Sequence, residues 1–223
     1  MNDKCWMKDY CNKIDCNSFC MRYFKLNSLY DYALIPLNKR KHIELFTDDD
    51  GSDERAFSRL SMISKDIVNY IQSGNNLFIY SNTPGNGKTQ WSLRMVECYF
   101  NKIWTKATLE CKVLFISVPT FLLELKQDIR EPSQYIKKIK ESVATCDLVI
   151  WDDIATKVGT EFELSHLLSI IDTRITNGKA NIYTSNLSGA DLCNALGDRL
   201  YSRIVNYSTD VIEFVGKDKR GIK

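Results

Sequence analysis

The octet Asn82-Thr83-Pro84-Gly85-Asn86-Gly87-Lys88-Thr89 holds the densest chemistry in this chain. It follows the apolar run Leu77-Phe78-Ile79-Tyr80 and leads into Gln90-Trp91-Ser92-Leu93. The order is strand, glycine-rich turn, helix, which is the context a phosphate-binding P-loop requires. Backbone N–H groups around Gly85, Asn86 and Gly87 can converge on phosphate oxygens, and the N-terminus of the next helix adds partial positive charge. Lys88 supplies a full charge for the outer phosphates. The Thr89 hydroxyl is placed to hold a Mg²⁺ ion that bridges the last two. Asn82 stands where the eight-residue pattern usually has its first glycine. Asparagine tolerates positive φ better than most residues, so the turn is expected to form regardless.

Two further strand ends are polar. Asp147-Leu148-Val149-Ile150-Trp151 runs into Asp152 and Asp153 about 60 residues after the P-loop, the pattern called Walker B. The first acid, Asp152, is expected to help hold Mg²⁺ through water, and Asp153 to orient and polarise an attacking water, a poor nucleophile near neutral pH. Ile182-Tyr183-Thr184-Ser185 ends in Asn186, where an amide could touch a γ-phosphate or the lytic water. Capping of a following helix is the plainer alternative for Asn186. Arg199 and Arg203 lie four residues apart on one expected helix face. Either could neutralise charge on a transferring phosphoryl group, often from a neighbouring subunit. Surface ion pairing is the alternative for each.

The elements that must position these residues are legible as alternating patterns. Helical periodicity runs from Glu54 to Ile71, and Ser73-Gly74-Asn75-Asn76 ends it. Strands are expected at 77–80, 112–117, 147–151, 180–185 and 211–214. Helices are expected after the P-loop, from Pro119, around Tyr135 to Val143, from Phe162 to Ile175, and around Ala190–Leu196 and Asp198–Val205. Strands that alternate with helices and read as continuous apolar runs imply a parallel sheet covered on both faces. In such a sheet ligands sit at the carboxyl ends of the strands, so all three polar strand ends would face one site.

Size and charge narrow the partners. The chain of 223 residues has room for one α/β domain and a small appendage, and its net charge of +2 confines any nucleic-acid contact to local patches. No apolar run approaches the roughly 20 residues needed to span a bilayer, and no secretory signal pattern is present, so the expected compartment is cytoplasmic and no membrane partner is expected. Residues 1–45 form a cysteine- and aromatic-rich region ahead of an acidic break at 47–53, and residues 46–223 form the main domain. Cys5, Cys11, Cys16 and Cys20 could close a tetrahedral Zn²⁺ site. Their gaps are not those of a zinc ribbon, and an iron–sulfur cluster or unliganded thiols stay open. Cys98, Cys111, Cys146 and Cys193 read as inert core thiols. Lys126, Arg130, Lys137, Lys138 and Lys140, with Tyr135 and Phe121 nearby, and Lys217, Lys219, Arg220 and Lys223 at the end, could track a single nucleic-acid strand. A solvated helix face is the alternative.

The ordered set Thr83-Pro84-Gly85-Asn86-Gly87-Lys88-Thr89, Asp147–Asp153, Thr184-Ser185-Asn186 and Leu196-Gly197-Asp198-Arg199-Leu200-Tyr201-Ser202-Arg203 resembles the DnaC/DnaI-type helicase loaders, members of the AAA+ ATPases. Ala33-Leu34-Ile35-Pro36 and Gly216-Lys217-Asp218-Lys219-Arg220 are softer matches. The resemblance implies an α/β AAA+ core with a five-stranded parallel sheet and no C-terminal lid. It implies ATP as substrate with Mg²⁺, Asn186 as first sensor, and Arg203 as arginine finger with Arg199 nearby. It further implies self-association, single-stranded DNA binding and delivery of a hexameric replicative helicase gripped by the N-terminal region. The compact size points to a phage- or plasmid-type version. A transposition-helper ATPase of the IstB type and a nucleotide-binding adaptor without turnover are the alternatives.

Overall fold

The computed structural model describes residues 5–7, 11, 19–40, 43, 45, 47, 51–108, 110–156 and 158–219. Five parallel strands form its centre: β1 (Asn76–Tyr80), β2 (Val113–Ser117), β3 (Leu148–Asp152), β4 (Ala180–Ser185) and β5 (Asp210–Glu213), in the order β2-β3-β4-β1-β5. The helices are α1 (Met21–Tyr32), α2 (Glu54–Lys65), α3 (Ile67–Gln72), α4 (Lys88–Ile103), α5 (Val118–Asp128), α6 (Gln134–Ser142), α7 (Glu161–Thr176) and α8 (Gly189–Tyr201). A π-helical turn, Ser202–Asn206, continues α8.

The two-residue period of each strand sorts its side chains onto two cores. Leu77, Ile79, Val113, Phe115, Leu148, Ile150 and Ile182 face α1 to α4. Phe78, Leu114, Ile116, Val149, Trp151 and Tyr183 face α5 to α8. β1 to β4 are buried at nearly every position, although β2 is an edge strand, whereas the other edge strand, β5, buries Asp210 and Ile212 and exposes Val211 and Glu213. Apolar runs therefore mark the four strands covered on both faces, and alternation marks β5, which is covered on one.

Two local features differ from the sequence expectation, at Asp66 and at Ser202, and a third, at Gly197, agrees with it. The helix expected from Glu54 to Ile71 breaks at Asp66, whose φ of −113° and ψ of 27° leave the helical region. Its carboxylate accepts from the Asn69 amide at 2.7 Å, and a side chain that competes for local donors favours a helix boundary over a helix interior. Gly197, with φ 74° and ψ 156°, kinks α8 at the point where two helices were expected. From Ser202 the turn widens to the π form, so the four-residue spacing of Arg199 and Arg203 crosses a change in helix type.

The N-terminal segment shares the α1–α4 core. Met7 is 1% exposed, Trp6 meets Tyr30 edge-on at 5.2 Å, and Tyr30 meets Phe100 at 5.0 Å. Phe115 donates its N–H to the Ala33 carbonyl at 2.9 Å, which ties the end of α1 to the edge of β2. Residues on both sides of the expected boundary at 45/46 thus belong to one cluster.

On the other face, α7 begins with a reciprocal cap. Thr160 accepts from the Glu163 N–H at 3.4 Å, and the Glu163 carboxylate accepts from the Thr160 N–H at 2.8 Å. The same carboxylate, 1% exposed, pairs with Lys126 of α5 at 2.9 Å. Burial pushes this acid up, but the Thr160 N–H, the Lys126 ammonium and the Thr160 hydroxyl outweigh it, lowering its pKa from 4.5 to about 2. A depressed carboxylate contributes stability that is complete above the unfolded value and is lost as pH falls through the folded one. Glu163→Gln is therefore expected to cost about 1–3 kcal/mol at pH 7. It should also flatten the loss of stability between about pH 4.5 and 2; urea melts across that range check both, and an unchanged acid limb would remove Glu163 from the account.

Candidate active site

The parallel sheet brings three strand ends to one edge. β1 pairs with β4 from Asn76↔Asn181 to Tyr80↔Ser185, and β3 pairs with β4 from Leu148↔Ala180 to Trp151↔Tyr183. The P-loop, the acid pair and Asn186 all follow these ends. Gly85 and Gly87 take left-handed φ values of 79° and 103°, and Gly87 is the residue that caps α4. Glycine has no Cβ to oppose that turn. Asn82, expected to supply a positive φ, does not take one; it is exposed, and its side chain accepts from Ser188 at 3.3 Å. The turn forms because the later two glycines absorb the left-handed conformations.

Buried polar groups hold the loop open. Asn86, 1% exposed, donates to Ser81 Oγ at 2.5 Å, and the same Oγ accepts from Thr83 N–H at 3.0 Å. Lys88, 5% exposed, donates from Nζ to the Thr83 carbonyl and to Asn86 Oδ1, both at 3.2 Å. The ammonium thus spans the mouth of the loop on neutral acceptors that an anionic phosphate oxygen would outcompete. Pro84 is exposed on the rim.

Asp152 is the centre of the site. Its Oδ1 accepts from the Thr89 hydroxyl at 2.8 Å and from the Thr184 hydroxyl at 2.8 Å. Thr184 Oγ1 in turn accepts from the Asp153 N–H at 2.9 Å. One hydroxyl of β4 therefore fixes both members of the acid pair. Asp153 has φ 57°, a left-handed value that is uncommon for a residue with a side chain and concentrates at functional sites. The bend turns it out of the strand direction, and its Oδ1 accepts from Asn186 Nδ2 at 3.5 Å. Burial pushes the Asp152 carboxyl up, while hydrogen bonds from Thr184 and Thr89 oppose the rise. A buried carboxylate and a hydroxyl already in contact are the hard oxygen donors that suit Mg²⁺. Thr89 and Asp152 would hold that ion, and its chemistry there would be to neutralise phosphate charge.

Not every expected residue converges here. Arg203 Nε pairs with Asp172 of α7 at 2.5 Å, and its guanidinium lies over the Tyr207 ring at 4.8 Å. Arg199 is exposed on α8. Among the described residues no group of three or more His, Cys, Asp or Glu side chains could hold a metal ion. Cys5 and Cys11 pack against the α1–α4 core, Cys20 is buried, and Cys16 falls outside the described residues. The expected nucleic-acid track is also thinner than its composition. Phe121 is buried at 1%, Lys126 pairs with Glu163, and Lys140 pairs with Asp128 at 2.8 Å. Arg130, Lys137 and Lys138 are exposed, Tyr135 is half-buried, and Arg220 and Lys223 fall outside the described residues.

Sequence reading missed two contributors. Thr184 is visible in the Thr184-Ser185-Asn186 run but gave no signal of its role, because the strand periodicity alone assigns it to the core. The segment after β5 also reaches the P-loop. Lys219 N–H donates to the Gly85 carbonyl at 3.0 Å, and the buried Asp53 carboxylate accepts from the N–H groups of Val215 at 2.9 Å and Gly216 at 3.2 Å.

A glycine-bent loop at the head of a helix, a buried acid held against its threonine, and a second acid turned toward a strand-end amide define a P-loop ATPase. The chain belongs to the bacterial DnaA ATPase domain family, whose model matches residues 37–207. Its fold is that of the AAA+ proteins of the DnaC type. A putative primosome component from Streptococcus pyogenes serotype M3 matches with a TM-score of 0.63 and 20% identity over 86% of this chain and 98% of that one. The DnaC helicase loader matches with a TM-score of 0.60 and 21% identity over 76% of this chain and 93% of that one. A DnaA bound to AMPPCP and single-stranded DNA matches with a TM-score of 0.56 and 19% identity over 77% of this chain but only 48% of that longer one. No curated protein sequence matches the chain.

The Thr184 hydroxyl satisfies both acids at once, so Thr184→Val should leave two buried polar groups without their partner. Nucleotide affinity is expected to hold within about threefold while kcat falls about tenfold or more. Turnover within twofold of the parent would show that Thr184 does not position the pair.

Proposed function

We propose that the chain is an ATP-dependent loader of a ring-shaped replicative helicase, acting on single-stranded DNA during replication. The observation that carries the reading is the Thr89–Asp152–Thr184–Asp153–Asn186 chain of hydrogen bonds, because it supplies every group that water attack on a bound triphosphate needs from one subunit. In this reading the amides of residues 83–87 and the Lys88 ammonium bind the phosphates, Thr89 and Asp152 hold Mg²⁺, and Asp153 accepts a proton from the water that Asn186 helps to orient. Arg203, with Arg199 nearby, serves the site of a neighbouring copy, which makes self-association part of turnover.

The loader reading draws support from two further features. The fold likeness spans nearly the whole of the DnaC helicase loader and, at a TM-score of 0.58, 92% of DnaI. The N-terminal region also presents Phe19, Met21 and Phe24, 84%, 62% and 50% exposed, at the head of α1, an apolar surface of the kind that grips a partner protein. Residues 1–45 are accordingly assigned to the helicase and residues 46–223 to nucleotide. Arg130, Lys137 and Lys138 are the groups proposed to meet the phosphates of a single strand. No helix among the described residues is long and apolar enough to cross a membrane, and action on replicating DNA assigns the chain to the cytoplasm.

Three variants test the division of labour in single-turnover hydrolysis. Lys88→Ala should lose nucleotide binding. Asp153→Asn should keep binding and slow hydrolysis by about 10²-fold or more. Arg203→Ala should lose both hydrolysis and ATP-dependent assembly. Parental affinity in the Lys88 variant would end the P-loop assignment.

Loading itself is read on covalently closed circular single-stranded DNA, which offers no end for a ring to thread. The expected result is helicase on the circle only when this chain and ATP are both present. Retention of a transposase instead of a helicase by the purified chain would replace this reading with the transposition-helper one.

A further inference from the structure

The opposite end of the sheet holds a second chemically unusual cluster that ATP hydrolysis does not use. Arg174 of α7 is 0% exposed. Its guanidinium donates to Asn181 Oδ1 at 2.8 Å, to the Ala180 carbonyl at 2.6 Å, to the Cys146 carbonyl at 3.2 Å and to the Val143 carbonyl. Its remaining contact is the Cys146 thiol, at 3.4 Å from Nη1. Among the described residues no carboxylate lies within ion-pair distance of it. A buried guanidinium without a counter-ion is costly, so the cluster favours an anion at the nearest group able to become one. The ionisable groups facing it are Cys146, Tyr183 and Asp147. Asp147 accepts the Tyr99 hydroxyl at 2.9 Å and stands outside hydrogen-bond range, and Tyr183 is fully buried with its hydroxyl pushed far up by burial.

Cys146 also has a thiol neighbour. β2 and β3 pair Val113↔Leu148, and the Lys112 carbonyl accepts from both Asp147 and Leu148, so the same register places Cys111 opposite Cys146. Each Sγ lies near the carbonyl two residues on, Val113 at 3.2 Å and Leu148 at 3.5 Å, on the facing starts of the two strands. The neighbouring Cys111 thiol and the Arg174 charge hold Cys146 below its ordinary value, while the Cys146 thiol and burial push Cys111 up. Neighbouring strand positions fall within the Cα separations that a disulfide spans.

We infer that Cys111 and Cys146 are a redox-active dithiol, with Cys146 the thiolate and Cys111 the resolving thiol, which a peroxide converts to a disulfide between β2 and β3. The Cys146 sulfur attacks one peroxide oxygen, the O–O bond breaks, and hydroxide leaves as water with a proton, giving a sulfenic acid. The Cys111 sulfur then attacks the Cys146 sulfur. The S–S bond forms, the S–O bond breaks, and the leaving hydroxide takes the Cys111 proton as a second water. Two thiols lose two electrons and the peroxide gains them. Cys111 is half-buried and Cys146 buried, so a small oxidant suits the site better than a bulky disulfide.

The test uses the whole chain, hydrogen peroxide and peptide mapping without reductant. The expected product has lost about 2 Da and yields a Cys111–Cys146 linked peptide, which dithiothreitol reverses. Closing the 111–146 loop should raise Tm by about 5 °C. ATP turnover should stay within about twofold, because the bridge lies at the other end of the strands from the acids. Cys111→Ser should leave a Cys146 sulfenic acid that dimedone traps, a readout that stands even where Cys146→Ser folds poorly. Recovery of Cys111 and Cys146 as unmodified thiols, while Cys98 and Cys193 are oxidised, would overturn the inference, as would a linked peptide that joins either one to a different cysteine.

Discussion

One buried carboxylate organises this molecule. Asp152 ends β3, and its Oδ1 takes a hydroxyl from Thr89 at the head of α4 and another from Thr184 near the end of β4. An acid 5% exposed is unstable without such donors, since a buried charge must be paired or hydrogen-bonded. The acid and its two donors come from three elements that the parallel sheet brings to one edge. Shifting the β3–β4 register by one residue would turn Thr184 to the other face and leave Asp152 and the Asp153 N–H without their shared partner. The register of the sheet and the geometry of the site are therefore one constraint.

The far end of the sheet answers with a second polar network. Asn181 Oδ1 receives Arg174 and the Trp151 indole at 3.1 Å, and its amide donates to Asn76 Oδ1 at 2.9 Å. The starts of β1 and β4 are thereby tied to each other, to Trp151 of β3 and to the end of α7, as β3, β4 and α4 are tied at the site. Satisfied buried networks fix one arrangement more sharply than apolar packing alone. β4 is thus pinned at both ends, with β1 held at its start and β3 at the site, which gives the P-loop and the acids a fixed frame.

Much of this frame was legible because it depends on periods. Runs such as Leu77–Tyr80 and Val113–Ser117 are apolar on both faces only if helices cover both, and the helices do. Gly197 marked a break between helical segments. The features that escaped are set by contacts between residues far apart in the chain. The split of the Glu54–Ile71 period at Asp66 also escaped, because the apolar period runs through it unbroken. Nothing in β4 says that Thr184 is more than a core residue. Asp153 follows an ordinary strand, yet takes φ 57° because Thr184 holds its N–H and Asn186 meets its carboxylate. The lysine clusters show the same limit. Charge runs are visible in sequence, but the Glu163 and Asp128 partners that claim Lys126 and Lys140 are not.

Arg203 shows how a residue can be held in readiness without being trapped. Its side chain is 34% exposed and that of Asp172 43% exposed, so water screens the pair. Exposed pairs of this kind contribute only about 0–1 kcal/mol. The Tyr207 ring beneath the guanidinium adds a similar small increment and limits the rotamers that Arg203 samples. A phosphate carrying more than one negative charge offers Arg a stronger, bidentate partner than a half-solvated aspartate. Exchange of Asp172 for the phosphates of a neighbouring copy is therefore downhill once assembly brings them within reach. The π-helical turn that carries Arg203 suits such an exchange, because its wider hydrogen-bond spacing can tighten to the α form and reorient the side chain by a fraction of a turn. In the proposed assembly the fixed frame would bind the nucleotide in one subunit, and the loosely held arginine would make turnover depend on the next.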